Sequence, residues 1–376
     1  MNIARKGKDI MQEDFHYYAA YCAAYLAGFN HEESVRIGYS DQFVDCCTET
    51  YLAKIRGQRE AATTQSQPEL ASSRGDMVSI QNMTRIWASF HFLPYDLEAT
   101  LPGHHSKKYM NKYRLICKPN SDQVVETVRI AKDKSLEHCG IAMHVLSDTW
   151  AHTYFAGTPS LVINNATEFY DINRDKPLSF SHNPTVPEDP EKDIYVNSPN
   201  LMDEISIMVL GHGRAGHLPD YSFFRYKYLP AWGNYEEIVK DNPADYYLAF
   251  CQMVTALKYL RGETQEFKKE VYDEVSVGPH KERIMAILEK RQVNACADWK
   301  AFGEELSGSE IPEFNMFQFE REFLTAADKN NTFLGRFCAG AIAQKSMITN
   351  RIYLAGSNLA GVSVDAQGKR FQRNIN

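Results

Sequence analysis

The chain has 376 residues, with 44% hydrophobic and 24% charged side chains and a formal net charge of −7. That composition excludes a disordered chain, and the acidic balance gives no general pull toward nucleic acid or an anionic membrane. A chain of this length buries a core without staples, and its eight cysteines, none of them in a C-x-x-C pair, read as buried thiols rather than as a disulfide framework or a thiolate zinc site.

Along the chain, Phe15 to Phe29 is apolar around most of its circumference and predicts a buried helix, with Gly28 at its C-terminal end. Asn30 followed by Glu33 has capping-box spacing and starts a second helix over roughly 31–55. Residues 56–80 are polar and aperiodic and read as loop. A short helical or irregular piece carries Phe90-His91-Phe92-Leu93-Pro94, and Gly103 to Lys108 reads as a turn. Asn120 or Asp122 opens a helix to about Lys132. Asp133 or Ser135 caps the next, which runs to about Ala156 with Gly157 as its stop.

Residues 158–200 read as a long loop with a short strand at Ser160–Ile163, and Leu201–Leu210 as helix. A glycine- and histidine-rich turn follows, then an aromatic stretch to Trp232 that reads as core or as the border of a substrate mouth. Asn242, Pro243 and Asp245 start a helix to Leu260. Further helices are predicted at about 280–291, 294–306, 314–328 and 331–347, with a loose tail after about 355. No run reaches roughly 18 apolar residues, so no transmembrane helix is expected. The basic start Met1 to Lys8 has no apolar run behind it, so no signal peptide is expected; cytoplasmic residence is the default, with non-classical secretion left open.

The strongest chemical signal is His144, Asp148 and His152, spaced i, i+4, i+8 in an otherwise apolar helix. Each step drifts only about 40° around the axis and climbs about 6 Å, so the three share one inward face. The outer histidines are too far apart for one ion. Asp148, with two oxygens, suits a bridge between two ions, one histidine serving each. Buried imidazoles and carboxylates are costly without partners, and a metal satisfies them.

A second set lies earlier. His16 stands beside Asp14, and Asp41 and Asp45 share a face of the second helix. Apolar neighbours surround Asp45, marking it as a ligand, whereas Asp41 reads equally as a ligand or as a solvated residue. His91, between two phenylalanines, joins the ligand set. The third set is His212, His217 and Asp220 among Gly211, Gly213 and Gly216, which permit sharp turns and close backbone approach. The spacing does not choose among those three. Imidazole and carboxylate without thiolate point to two or three zinc ions, with iron or manganese as alternatives. Ions a few ångströms apart suit phosphoester hydrolysis, one activating water and another steadying oxygen charge, with a carboxylate such as Asp45 orienting the water.

In motif order the chain resembles the helical superfamily of zinc-dependent bacterial phospholipases C and of fungal and plant single-strand nucleases. It more closely resembles a bacterial family of unknown function. The motifs are Asp14-Phe15-His16, Tyr39-Ser40-Asp41-Gln42-Phe43-Val44-Asp45, His144 to His152, and Gly211 to Asp220, spanning roughly residues 11–260. The resemblance implies His16, Asp45, His91, His144, Asp148 and His152 as ligands, with His212 or His217 and Asp220 completing a second cluster. Those enzymes also use the freed amino group of an N-terminal tryptophan, which has no counterpart here, and the third metal position departs from their pattern accordingly.

The resulting expectation is an all-α multi-helix bundle with long loops. Residues 1–262 form a helical metal-binding domain, and 263–376 a helical extension packed on it. The expected activity is a metal-dependent phosphoester hydrolase, phospholipase C-like or a phosphodiesterase, with Asp45 and Asp148 catalytic. Its substrate is expected to be a phosphoester or phospholipid, without stable nucleic-acid binding. The rival expectation is a non-catalytic, metal-stabilised interaction or effector protein.

Overall fold

The computed structural model describes residues 13–73, 77–178, 209–233 and 236–360, together with the two-residue strands Ser181–His182, Tyr195–Val196, Ser363–Val364 and Arg370–Phe371. The first helix, α1, opens as a π-helical stretch, Asp14–Ala19, and continues as α-helix over Ala20–Leu26. Gly28 then takes the left-handed φ of 91° that ends it. The capping box at Asn30 and Glu33 forms and starts α2, His31–Phe43. The other helices that position the site are α3 (Met77–Phe90), α4 (Asp122–Ala131), α5 (Leu136–Ala151), α6 (Asn242–Arg261), α7 (Cys296–Ser307) and α8 (Phe333–Leu354).

Helix α5 is the hub. It is buried on nearly every side, as a helix apolar around most of its circumference must be, and α2, α3, α4, α6 and α8 pack around it. One continuous apolar core runs from Phe15 to Ala360. The C-terminal helices share that core: Trp299 of α7 meets Phe15 edge-on at 6.0 Å and stacks on Phe250 of α6 at 5.5 Å.

Two glycines set how closely the hub is approached. A Cβ on Gly140 of α5 would lie 2.4 Å from the Ile37 carbonyl oxygen and 2.8 Å from the Asp41 nitrogen of α2. A Cβ on Gly38 of α2 would lie 2.5 Å from the Tyr17 carbonyl oxygen of α1. Only hydrogen fits at either place, so α1, α2 and α5 approach backbone to backbone.

The all-α expectation is corrected. Strands β1 (Ala166–Asp171), β2 (Lys176–Pro177), β3 (Arg225–Pro230) and β4 (Ile238–Asp241) form an antiparallel sheet ordered β2-β1-β3-β4. The aromatic run therefore belongs to core and sheet: along β3 the residues alternate, with Tyr226, Tyr228 and Pro230 buried. Tyr228 stacks between Phe155 at 5.7 Å and Phe169 at 5.3 Å. That period of two, Arg-Tyr-Lys-Tyr-Leu-Pro, is a strand signal, and the all-α reading passed over it.

Other boundaries shift for local reasons. The second helix stops at Phe43, and Thr48 caps a separate helix over Glu49–Lys54. The polar segment 56–80 contains a helix, Gln67–Ser72, opened by a Ser66–Glu69 capping box, and the start of α3. The segment expected as a strand near Ser160 is a single helical turn, Leu161–Asn164, and of the helix expected over 314–328 only Glu320–Thr325 forms. The helix expected at Leu201–Leu210 lies mostly outside the described residues. None of the eight cysteines is in a disulfide, and among the described residues no helix is long and apolar enough to cross a membrane.

An exposed helical Gly→Ala change would raise helix propensity by about 1 kcal/mol. Gly140→Ala should instead destabilise by roughly 1–3 kcal/mol, because the new methyl meets backbone that cannot rotate away. A urea denaturation midpoint equal to or above that of the parent chain would contradict this packing.

Candidate metal centre

The polar seam of α5 meets side chains from four other parts of the chain. His16 comes from the π-helical turn of α1, a widened geometry often found at functional sites. Asp41 and Asp45 come from α2 and the turn after it, and His91 directly follows α3. His212, His217 and Asp220 sit on two short 3₁₀ turns.

Backbone carbonyls fix three of the imidazoles. A carbonyl only accepts, so the ring nitrogen facing it carries the proton. His91 Nε2 donates to the Thr63 oxygen at 3.0 Å, His152 Nδ1 to the His91 oxygen at 2.7 Å, and His212 Nδ1 to the Gly216 oxygen at 2.8 Å. Each ring's other nitrogen faces the polar centre. This is the arrangement by which outer partners orient metal-binding histidines.

The forward atoms form two groups. In the first, His91 Nδ1 lies 3.1 Å from Asp148 Oδ2 and 3.3 Å from His144 Nε2, and each of the two nitrogens is 3.8 Å from Asp45 Oδ1. His144 Nε2 is also 3.3 Å from Asp148 Oδ2. His16 lies 3.2 Å from Asp148 Oδ1 through its Nε2, and its ring stacks on His144 at 4.0 Å. In the second group, His152 Nε2 and His212 Nε2 each lie 3.5 Å from Asp220 Oδ1, and His217 Nδ1 lies 3.1 Å from Asp220 Oδ2. Three sets of atoms come close enough to share an ion: His16, Asp45 and His144; His91, His144 and Asp148; and His152, His212 and Asp220.

The second group is held from below by α6. Asn242 Nδ2 donates to the Leu218 and Tyr221 carbonyls at 2.8 and 2.9 Å, and the Tyr246 hydroxyl to the Pro219 carbonyl at 3.0 Å. Those bonds clamp the turn carrying Asp220. Gly211, at φ 54°, leaves room for Phe92, whose ring would collide with any Cβ there and which stacks on His152 at 4.7 Å.

The electrostatics follow from burial. Asp148 is held well below the usual carboxylate range: burial opposes its ionisation, but His152 and His144 overcome it. Burial pulls His16 and His144 down, yet Asp41 and Asp148 hold His16 well above its ordinary value, and Asp148 with Asp45 lifts His144 to about 9. Burial likewise opposes His152, which Asp148 and Asp220 raise, while it lowers His212 despite Asp220. Asp220 is lowered by His212 and His152 against the burial penalty. The seam thus needs positive charge, and imidazolium protons supply it here. Two carboxylate oxygens of the centre, Asp148 Oδ1 and Asp41 Oδ2, are buried and make no well-directed hydrogen bond. Nitrogen and oxygen donors converging around an unsatisfied carboxylate fit a divalent cation.

The placement differs from the expected one in one respect. Asp148 does not bridge from His144 to His152, because His152 commits Nδ1 to the His91 carbonyl and turns Nε2 toward Asp220. Both Asp148 oxygens instead serve the first group. Asp41, which the sequence left open between ligand and solvated residue, is fully buried behind that group. Its i, i+4 spacing to Asp45 was the available signal. The Thr63 carbonyl had none.

The model of a family of unknown function (DUF6765) matches residues 11–352 of the chain. No curated protein and no solved structure matches it.

The protons that balance the seam give a pH test. His144 is raised from 6.5 to about 9 on folding, so its contribution is complete below pH 6.5 and is lost as pH rises through about 9. His16 and His152 shift in the same direction. The metal-free chain, kept in chelator, should lose stability across that window, by on the order of 3 kcal/mol from His144. Denaturant titrations at stepped pH check this; stability that is flat or rising from pH 6.5 to 9 would contradict the assignment.

Proposed function

The chain belongs to that family, and we propose that it is a metal-dependent phosphoric ester hydrolase, acting on a phosphodiester or phospholipid through a zinc-type site of two or three ions. The observation that carries this reading is the convergence of three imidazoles on the two oxygens of buried Asp148. The motif resemblance to zinc-dependent phospholipases C and single-strand nucleases adds the substrate class.

On this reading His16, His91, His144 and Asp148 hold the ions of the first group, and His152, His212 and Asp220 hold another. Bound ions supply a water of lowered pKa and stabilise charge on a phosphoryl oxygen. The residues do the rest by position. Asp45 is the most accessible carboxylate of the first group, with its side chain 17% exposed. Gln42 Nε2 lies 3.4 Å from its Oδ2, leaving Oδ1 toward the histidines. Asp45 is thus placed to take a proton from an attacking water. Asp148, too buried to meet substrate directly, would act as a ligand to the ions. His217, 28% exposed at the side chain, borders the second group on its open side.

One observation favours a second reading. Every other side chain of the first group is nearly fully buried, as in a closed structural site. In that case the ions only stabilise the fold of an interaction or effector protein.

Metal analysis of the purified chain, followed by a panel of phosphodiester, phosphomonoester and phospholipid substrates, separates the two. The hydrolase reading expects bound divalent metal and turnover of at least one class, falling about a hundredfold or more in Asp148→Asn. A chain fully loaded with metal, well folded and inert across the panel, would leave the structural reading standing.

A further inference from the structure

We propose that Asp41 is a positioning residue that sets two imidazoles at once, holding His16 and His144 as Nε2 ligands of a divalent cation; this rests on the metal reading above. Its Oδ1 lies 2.8 Å from His16 Nδ1 and 3.2 Å from His144 Nδ1. A carboxylate oxygen accepts, so each ring carries its proton on Nδ1 and turns Nε2 forward. Those forward nitrogens are the ones near Asp148, at 3.2 and 3.3 Å. The stacking of the two rings, 4.0 Å apart, is what lets one oxygen reach both.

The placement is built into the helix packing. Asp41 is fully buried where α5 crosses α2, and its nitrogen would lie 2.8 Å from a Cβ on Gly140. Burial shields its charge from bulk solvent there. Its Oδ2 makes no hydrogen bond, so Oδ1 alone links the carboxylate to its neighbours, and both of its partners are imidazoles. Asp41 also lies outside each of the three sets of atoms close enough to share an ion. It therefore acts through the histidines, as an outer carboxylate that raises their basicity and locks their orientation.

The test uses the full chain as wild type, Asp41→Asn and Asp41→Ala. Zinc affinity is measured by competition with a chelator. Ring-nitrogen NMR of ¹⁵N-histidine protein reports which nitrogen carries the proton and which the metal, and circular dichroism in chelator checks the fold. The expected result is Nε2 coordination of His16 and His144 in wild type. Both variants should lose affinity by about 10–100-fold, and both rings should lose their fixed Nδ1–H form while the fold persists.

Unchanged affinity and tautomers in the variants overturn the proposal, as does Nδ1 coordination in wild type, which would put the ion against Asp41 itself. A wild-type chain that takes up no divalent ion overturns the metal reading, a distinguishable outcome. If the variants fail to fold, the wild-type ring-nitrogen assignment decides alone.

Discussion

The structure turns on a shortage of positive charge among the helices packed around α5. Asp41 and Asp148 are removed from water, Asp45 is partly buried at the edge of the seam, and all three lie around the central helix without a lysine or arginine beside them among the described residues. Ionised carboxylates in such a place cost several kcal/mol each unless compensated. The chain compensates with histidines, the one side chain that exchanges a proton for a metal ion at the same nitrogen. Asp148 and Asp220 are held low, and His16, His144 and His152, which face them, are held high.

The rest of the fold brings those groups together and keeps them turned the right way. Close approach at Gly38 and Gly140 draws α1, α2 and α5 into backbone contact, which places His16, Asp41 and His144 within one shared hydrogen-bonded unit. Half of the site's imidazoles are oriented by backbone. The carbonyls of Thr63, His91 and Gly216 each take one imidazole N–H. Such acceptors are set by the chain's path, so loop segments that look featureless carry part of the site.

This explains what could be read in the sequence. The i, i+4, i+8 stripe at His144, Asp148 and His152 is a helical period on an apolar background, and it located the centre directly. Asp45 and His91 were legible from their apolar neighbours, and His16 from its place beside Asp14 in the Asp14-Phe15-His16 motif. Asp41 was ambiguous because its flanking residues, Ser40 and Gln42, are polar, although both are buried. The sheet was missed because β1 carries a register shift against β3, and β4 turns Lys240 inward and Val239 out to solvent, against their polarity; only β3 shows a polar–apolar period of two. The direction in which His152 faces was not legible at all. It depends on a hydrogen bond to residue 91, sixty-one positions away.

That same bond ties the two groups to each other. The carbonyl that orients His152 belongs to His91, whose ring serves the first group, and Asp148 Oδ2 lies 3.5 Å from the same His152 nitrogen. A shift of the segment after α3 therefore moves a donor of the first group and the tautomer anchor of the second together. Independent sites would not need this linkage. A centre whose ions act on one substrate would, because a displacement of about an ångström between catalytic groups is costly. The groups also differ in access. Asp45 and His217 are the exposed members of the first and second groups respectively, whereas Asp148 is sealed between the two. A substrate spanning the centre would meet Asp45 and His217, with the buried seam behind them fixing the geometry.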